Sequence, residues 1–168
     1  MIEVGILPVY FIAKLFHIAA VIVFLGNITV GIFWKENADR TGDPRIMAHT
    51  LRGIIQADRW FTIPAILVLL IAGFATAGLG HIPILSTGWI LWSLILFIIA
   101  GIAFGPVSRA QRQLAALASA ASGPADLDIE GYRRLSGAWK IWGLIALIAP
   151  VIALILMVLK PALPAFHR

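Results

Sequence analysis

Residues 60–108 read WFTIPAILVLLIAGFATAGLGHIPILSTGWILWSLILFIIAGIAFGPVS, 49 positions without a charged side chain. A helix that crosses a bilayer needs about 20 mainly apolar residues, because the hydrocarbon layer is ~30 Å thick and a helix rises ~1.5 Å per residue. The stretch is too long for one crossing. Gly78, Gly80, His81, Pro83, Ser86, Thr87 and Gly88 cluster at its centre, and such residues form turns. It therefore reads as two spans, 60–79 and 88–107, joined by a short loop. Two further tracts, 15–34 and 141–159, also lack charge. They place spans at about 8–34 and 139–160. Runs such as 63–73 and 91–103 are continuously apolar, without the alternation of a transmembrane strand. The expected fold is all-α, an integral membrane four-helix bundle forming a single domain over residues 1–168.

The whole composition agrees. Hydrophobic residues make up 61% of the 168 residues and charged residues 12%, against about 25% charged in soluble domains. The mean hydropathy is +0.97. Disorder is excluded by the same numbers. The chain has no cysteine, which excludes disulfides, thiolate metal sites and iron–sulfur clusters. The first eight residues carry Glu3 and no basic residue, unlike a secretory signal.

Ten of the thirteen basic residues fall in two segments. Lys35, Arg40, Arg45, Arg52 and Arg59 lie between the first two spans. Arg109, Arg112, Arg133, Arg134 and Lys140 lie between the last two. The positive-inside rule puts both segments, 35–59 and 108–140, in the cytoplasm, with both termini outside. For a bacterial chain this is the plasma (inner) membrane. The basic residues are dispersed among Asp39, Asp43, Asp126, Asp128 and Glu130, so they form no nucleic-acid patch. The expected partners are the lipid bilayer and either further copies of the chain or a larger membrane complex.

Tryptophans 34, 60, 139 and 142 fall at the cytoplasmic ends of spans, and Trp89 and Trp92 at an outer end. This is an interfacial belt; a pocket lining is the alternative. Asp43 and Pro44 read as an N-cap followed by proline at the first helical position. They open an amphipathic helix over 45–57 whose simplest role is to lie on the membrane surface. Asp58 and Arg59 border the second span as a potential pair. Residues 114–121 extend the third span. Pro150 falls inside the fourth and frees the carbonyl of Ala146. Gly101 and Gly105 form a small-xxx-small packing motif.

Polar groups inside a span are costly and mark function by default. Lys14, His17, Ala20, Phe24, Asn27, Gly31 and Trp34 are spaced 3,3,4,3,4,3 and read as one helical stripe. The stripe should face the bundle interior. Lys14 and His17 are side by side near the outer boundary. A neutral imidazole there ligates iron; alternatively Lys14 snorkels to the surface and His17 bonds a neighbouring helix. His17 is the sole histidine within a span. His81 lies in the outer loop on the same side and offers a second ligand. His49 lies in the cytoplasmic helix and His167 in the tail.

The segment Lys14-Leu-Phe-His17-Ile-Ala-Ala-Val, with Gly26-Asn27 beyond it, resembles the first span of small bacterial membrane proteins. These include the HemJ-type protoporphyrinogen oxidases and the CopD-like copper-resistance proteins. The whole chain is similar to the domain of unknown function 2269, four-span proteins with a Gly-Asp-Pro loop (Gly42-Asp43-Pro44) and an Ala-Asp at the second span (Ala57-Asp58). The HemJ resemblance implies that Lys14 and His17 belong to a haem- or porphyrin-binding region. Where that type has Trp-x-Gly, this chain has Phe24-Leu25-Gly26. The expectation that follows is a b-type haem near the outer leaflet. His17 would be its metal ligand, with Lys14, Asn27 and His81 around the cofactor, in a redox or haem-handling role. The alternative is a non-enzymatic membrane subunit.

Overall fold

The computed structural model describes residues 3–166; His167 lies outside them. Five α-helices follow one another: α1 (Glu3–Thr41), α2 (Pro44–Ala57), α3 (Ile63–Leu79), α4 (Gly88–Ala120) and α5 (Ile129–Leu159). No strand occurs among the described residues. Four helical stretches are long and apolar enough to cross a bilayer: α1, α4, α5 and a continuous run from Pro44 to Leu79.

That continuous run has a definite construction. Gly42 turns the chain in the left-handed region, at φ +65°, which glycine adopts without penalty. The Asp43 carboxylate then accepts the Arg45 N–H at 2.8 Å and Pro44 opens α2. α2 passes into α3 through a π-helical turn, Asp58–Thr62. Such turns insert into α-helices where a side chain must be re-aimed, often at functional sites.

The spans pack as two hairpins, α1 with α3 and α4 with α5. Their buried positions are mostly alanines, among them Ala20, Ala65, Ala72, Ala100, Ala103, Ala146 and Ala153, with Phe24, Ile90 and Val107 among the larger exceptions. Small residues let helix backbones approach in a solvent where aliphatic burial gives little gain. Large aliphatics such as Ile22, Ile71, Ile102 and Val158 point outward, as a lipid solvent requires.

The close-packed apolar core lies beyond the uncharged tracts. Met47 and Leu51 of α2 meet Val107, Leu114 and Ala118 of α4 and Tyr132 and Trp139 of α5. α2 is thus an amphipathic helix as expected, but its apolar face is buried against α4 rather than laid on lipid. Arg52 reaches Ser119 at 2.9 Å across the same contact. α5 continues through Pro150, which is buried. Gly101 and Gly105 are exposed, with open space where a Cβ would stand, so their motif packs against nothing within the chain.

The residues after α5 cross the start of α4. Lys160 ends α5 in the left-handed region, at φ 47°. The Trp92 indole donates to the Pro164 carbonyl at 3.1 Å, and the Phe166 N–H to Leu85 at 3.2 Å. A side chain at Gly88 would run into the Leu163 backbone.

Candidate functional site

The inward face of α1 carries polar groups at three depths. Its outermost group is His17. The half-buried ring lies against Gly73 of α3, where a Cβ would stand only 2.9 Å from Nδ1. Nδ1 itself lies 2.9 Å from the Leu69 carbonyl, one turn before Gly73. The absent side chain leaves that carbonyl within reach. A carbonyl can only accept, so Nδ1 carries a proton; in the neutral tautomer that makes this contact the lone pair is on Nε2. Donation of one ring N–H to a carbonyl is how metal-binding histidines are usually oriented.

Lys14 and His81 stand apart from this ring. Lys14 is exposed, with its ammonium 5.9 Å from the Tyr10 ring centroid. His81 is exposed at φ 51°. It follows Gly80, whose Cβ position is 3.2 Å from Tyr10. Gly73 and His81 are eight residues apart, ~12 Å of helical rise, so His17 and His81 do not meet as an axial pair. Of these three side chains, only His17 turns a ring nitrogen onto α3, and Lys14 stands one turn above it on the exposed side. No group of three or more His, Cys, Asp or Glu side chains gathers among the described residues.

The middle depth is a network around Asp58, which is 9% exposed. Thr62 donates to Oδ1 at 2.9 Å and Gln111 of α4 to Oδ2 at 3.2 Å. Asn27 donates from Nδ2 to Oδ1 at 3.2 Å and to Thr62 at 2.7 Å. The π turn holds both Asp58 and Thr62, and so joins α1 to α4 through one carboxylate. Arg59, read from sequence as the partner of Asp58, is exposed and makes no ion pair among the described residues. The Asn27 amide is engaged here, ten residues or ~15 Å of rise from His17.

The third depth lies just past the tracts 8–34 and 139–160. Lys35, 1% exposed, donates to Asp39 at 2.5 Å and to Ser136 of α5 at 2.7 Å. The Tyr132 hydroxyl donates to the other oxygen of Asp39 at 2.6 Å. The rings of Trp139 and Tyr132 flank the ammonium, with centroids 4.9 and 5.5 Å away, within cation–π range. Burial pushes the Lys35 ammonium below its ordinary range, against the opposing pull of Asp39. Burial, and then Asp39, hold the Tyr132 phenol well above its ordinary range. The Trp139 indole N–H is buried without a partner, so this tryptophan is not part of the interfacial belt. Trp34, Trp60 and Trp142 are exposed, as the belt requires. Lys140 pairs with Glu36 at 2.9 Å, a second and more exposed tie between α5 and α1.

The sequence stripe is therefore right in its middle and rotates away at its ends. Ala20 and Phe24 are buried and His17, Asn27 and Gly31 half-buried, while Lys14 and Trp34 face out. Lys35, four residues beyond Gly31, takes the inward place.

A family profile described as "Predicted integral membrane protein (DUF2269)" matches residues 11–161. The chain belongs to this family. The matched region of this DUF2269 protein contains all three polar depths and, but for the first residues of the first span, all four spans. The family description names neither an activity nor a cofactor. No curated protein and no solved structure matches the chain.

Proposed function

We propose that this DUF2269 protein holds a porphyrin, with a b-type haem as its ligated form, through Nε2 of His17. The observation that carries the reading is the His17 Nδ1 contact with Leu69 at 2.9 Å. It fixes the ring and leaves one lone pair for a metal. When bound, haem supplies one-electron redox chemistry. The protein's own share is positional and electrostatic. Gly73 gives the ring its seat, Leu69 holds the tautomer, and Lys14 neutralises a carboxylate at the outer boundary. The basic segments 35–59 and 108–140 face the cytoplasm of a bacterial inner membrane, with both termini outside.

The test is the absorption spectrum of the full chain purified in detergent from haem-supplied cells. The expected result is a Soret band that His17→Ala abolishes and Lys14→Ala retains with weaker cofactor retention. A folded, colourless wild-type protein overturns the proposal. One observation favours a second reading, a non-enzymatic subunit: Gly101 and Gly105 face outward with open space above them, which suits a partner helix. Colourless protein that carries a stoichiometric partner supports that reading instead.

A further inference from the structure

Where α4 and α5 leave their uncharged tracts, a groove of about 500 Å³ opens between them. Gly105, Arg109, Arg112 and Gln113 of α4 line one wall, and Ala138 and Trp142 of α5 the other. The α4 positions are spaced by 4, 3 and 1 and share one helical face. Both arginines are exposed. Arg112 bonds only Ser108 of its own helix, at 3.0 Å. No carboxylate pairs with either guanidinium among the described residues.

Depth decides what can occupy the groove. The uncharged tract of α4 ends at Ser108, so Arg109 and Arg112 stand at the headgroup level. Trp142, partly exposed, lies about a turn deeper, just inside the uncharged tract of α5, where tryptophans border the headgroups. Gly105, without a side chain, keeps the membrane-side floor open beside Trp142, and the small Ala138 leaves room at the level of the arginines. Guanidinium groups bind phosphate oxygens in pairs. A groove with cations at the interface and an apolar floor toward the hydrocarbon matches a molecule with an anionic phosphate above acyl chains.

We propose that this groove binds an anionic glycerophospholipid, with its phosphate on Arg109 and Arg112 beside Ala138 and its glycerol and upper acyl region over Gly105 and Trp142. The inference is independent of His17. The test is native mass spectrometry of the full chain in detergent with equimolar dioleoyl phosphatidylglycerol and dioleoyl phosphatidylcholine. Wild type is expected to retain the anionic phosphatidylglycerol preferentially. Each arginine is worth about fivefold, so Arg109→Gln with Arg112→Gln lowers the preference ~25-fold, and the corresponding double lysine variant largely retains it. Arg45→Gln with Arg59→Gln removes the same charge from exposed sites outside the groove and leaves the preference in place. Ala138→Leu fills the groove with every charge intact and lowers retention. An equal fall in the Arg45 and Arg59 variant overturns the proposal, as does unchanged retention in Ala138→Leu. Displacement of the lipid by millimolar inorganic phosphate also overturns it, by showing a site for the free anion.

Discussion

Asn27 of α1 and Asp58 of the π turn, 31 positions apart in sequence, share a 3.2 Å hydrogen bond at the edge of the second span. Asp58 also receives Thr62 and Gln111, so its removal strands two donors and leaves Asn27 only Thr62. Unpaired buried donors cost about 1–3 kcal/mol. Asp58→Ala is expected to lower stability by that amount, and Asn27→Ala by less. Polar couplings measured inside membrane proteins average about 0.6 kcal/mol, and a double-mutant cycle on 27 and 58 should return a coupling of this order. Unfolding in mixed detergent micelles measures it; strictly additive variants contradict the network.

Tyr132 makes stability depend on alkaline pH in a defined direction. Its folded phenol titrates above the ordinary value of about 10, for the reasons of burial and the Asp39 carboxylate. The stabilisation is therefore fully present below pH ~10 and lost as pH rises further, because only the unfolded chain releases the proton. Tyr132→Phe removes a hydrogen bond to a carboxylate, a loss of about 1.5–3 kcal/mol. The gap between wild type and Tyr132→Phe should stay constant up to pH ~10 and close above it. The downward shift of Lys35 acts with the opposite sign below ~10.4, and it is common to both proteins. Stability curves in detergent at pH 7–11 decide the matter; a gap that widens above pH 10 contradicts this account.

Gly73 and Gly101 make a matched pair of tests. A Cβ at Gly73 would stand 2.9 Å from His17 Nδ1 and 3.0 Å from Cε1, whereas one at Gly101 meets nothing within 4 Å. Gly73→Ala should displace the imidazole from Leu69 and cost about 1–3 kcal/mol, the usual range for overpacking. It should also perturb any spectrum that depends on His17. Gly101→Ala should leave the isolated chain unchanged or slightly more stable. Thermal unfolding and absorption of the two variants provide the comparison, and equal behaviour counts against the seating of the ring.

The four spans were legible in the sequence because charge is forbidden in hydrocarbon, and its absence marks each crossing directly. The Gly–Pro cluster at 78–88 resolved the long tract for the same local reason. Long-range partnerships had no such mark. An amphipathic helix over 45–57 looks the same whether its apolar face meets lipid or protein, so the burial of Met47 and Leu51 against α4 could not be read. Asp58 found its acceptor role through Gln111, 53 positions away, and not through its neighbour Arg59. The stripe's six steps cover 20 residues, short of the 3.6-residue helical period, which is why Lys35 and not Trp34 turns inward. A signal for the middle network was present in Asn27 on the stripe and Gln111 in an alanine-rich helix, but nothing in one sequence joins them. The seat of His17 on Gly73 was equally invisible, since it depends on the register of α1 against α3.

The depths of His17, Asp58 and Lys35, and the interfacial level of the α4–α5 groove, all rest on one arrangement of the chain across the bilayer. With no native cysteine, a single introduced thiol reports its own side without background. His49→Cys, Ser122→Cys and Ser86→Cys occupy exposed sites in the two basic segments and the short loop. Labelling by a membrane-impermeant maleimide in intact cells should modify Cys at 86 and spare Cys at 49 and 122 until the cells are opened. Labelling that places 49 and 122 on opposite faces would contradict the account.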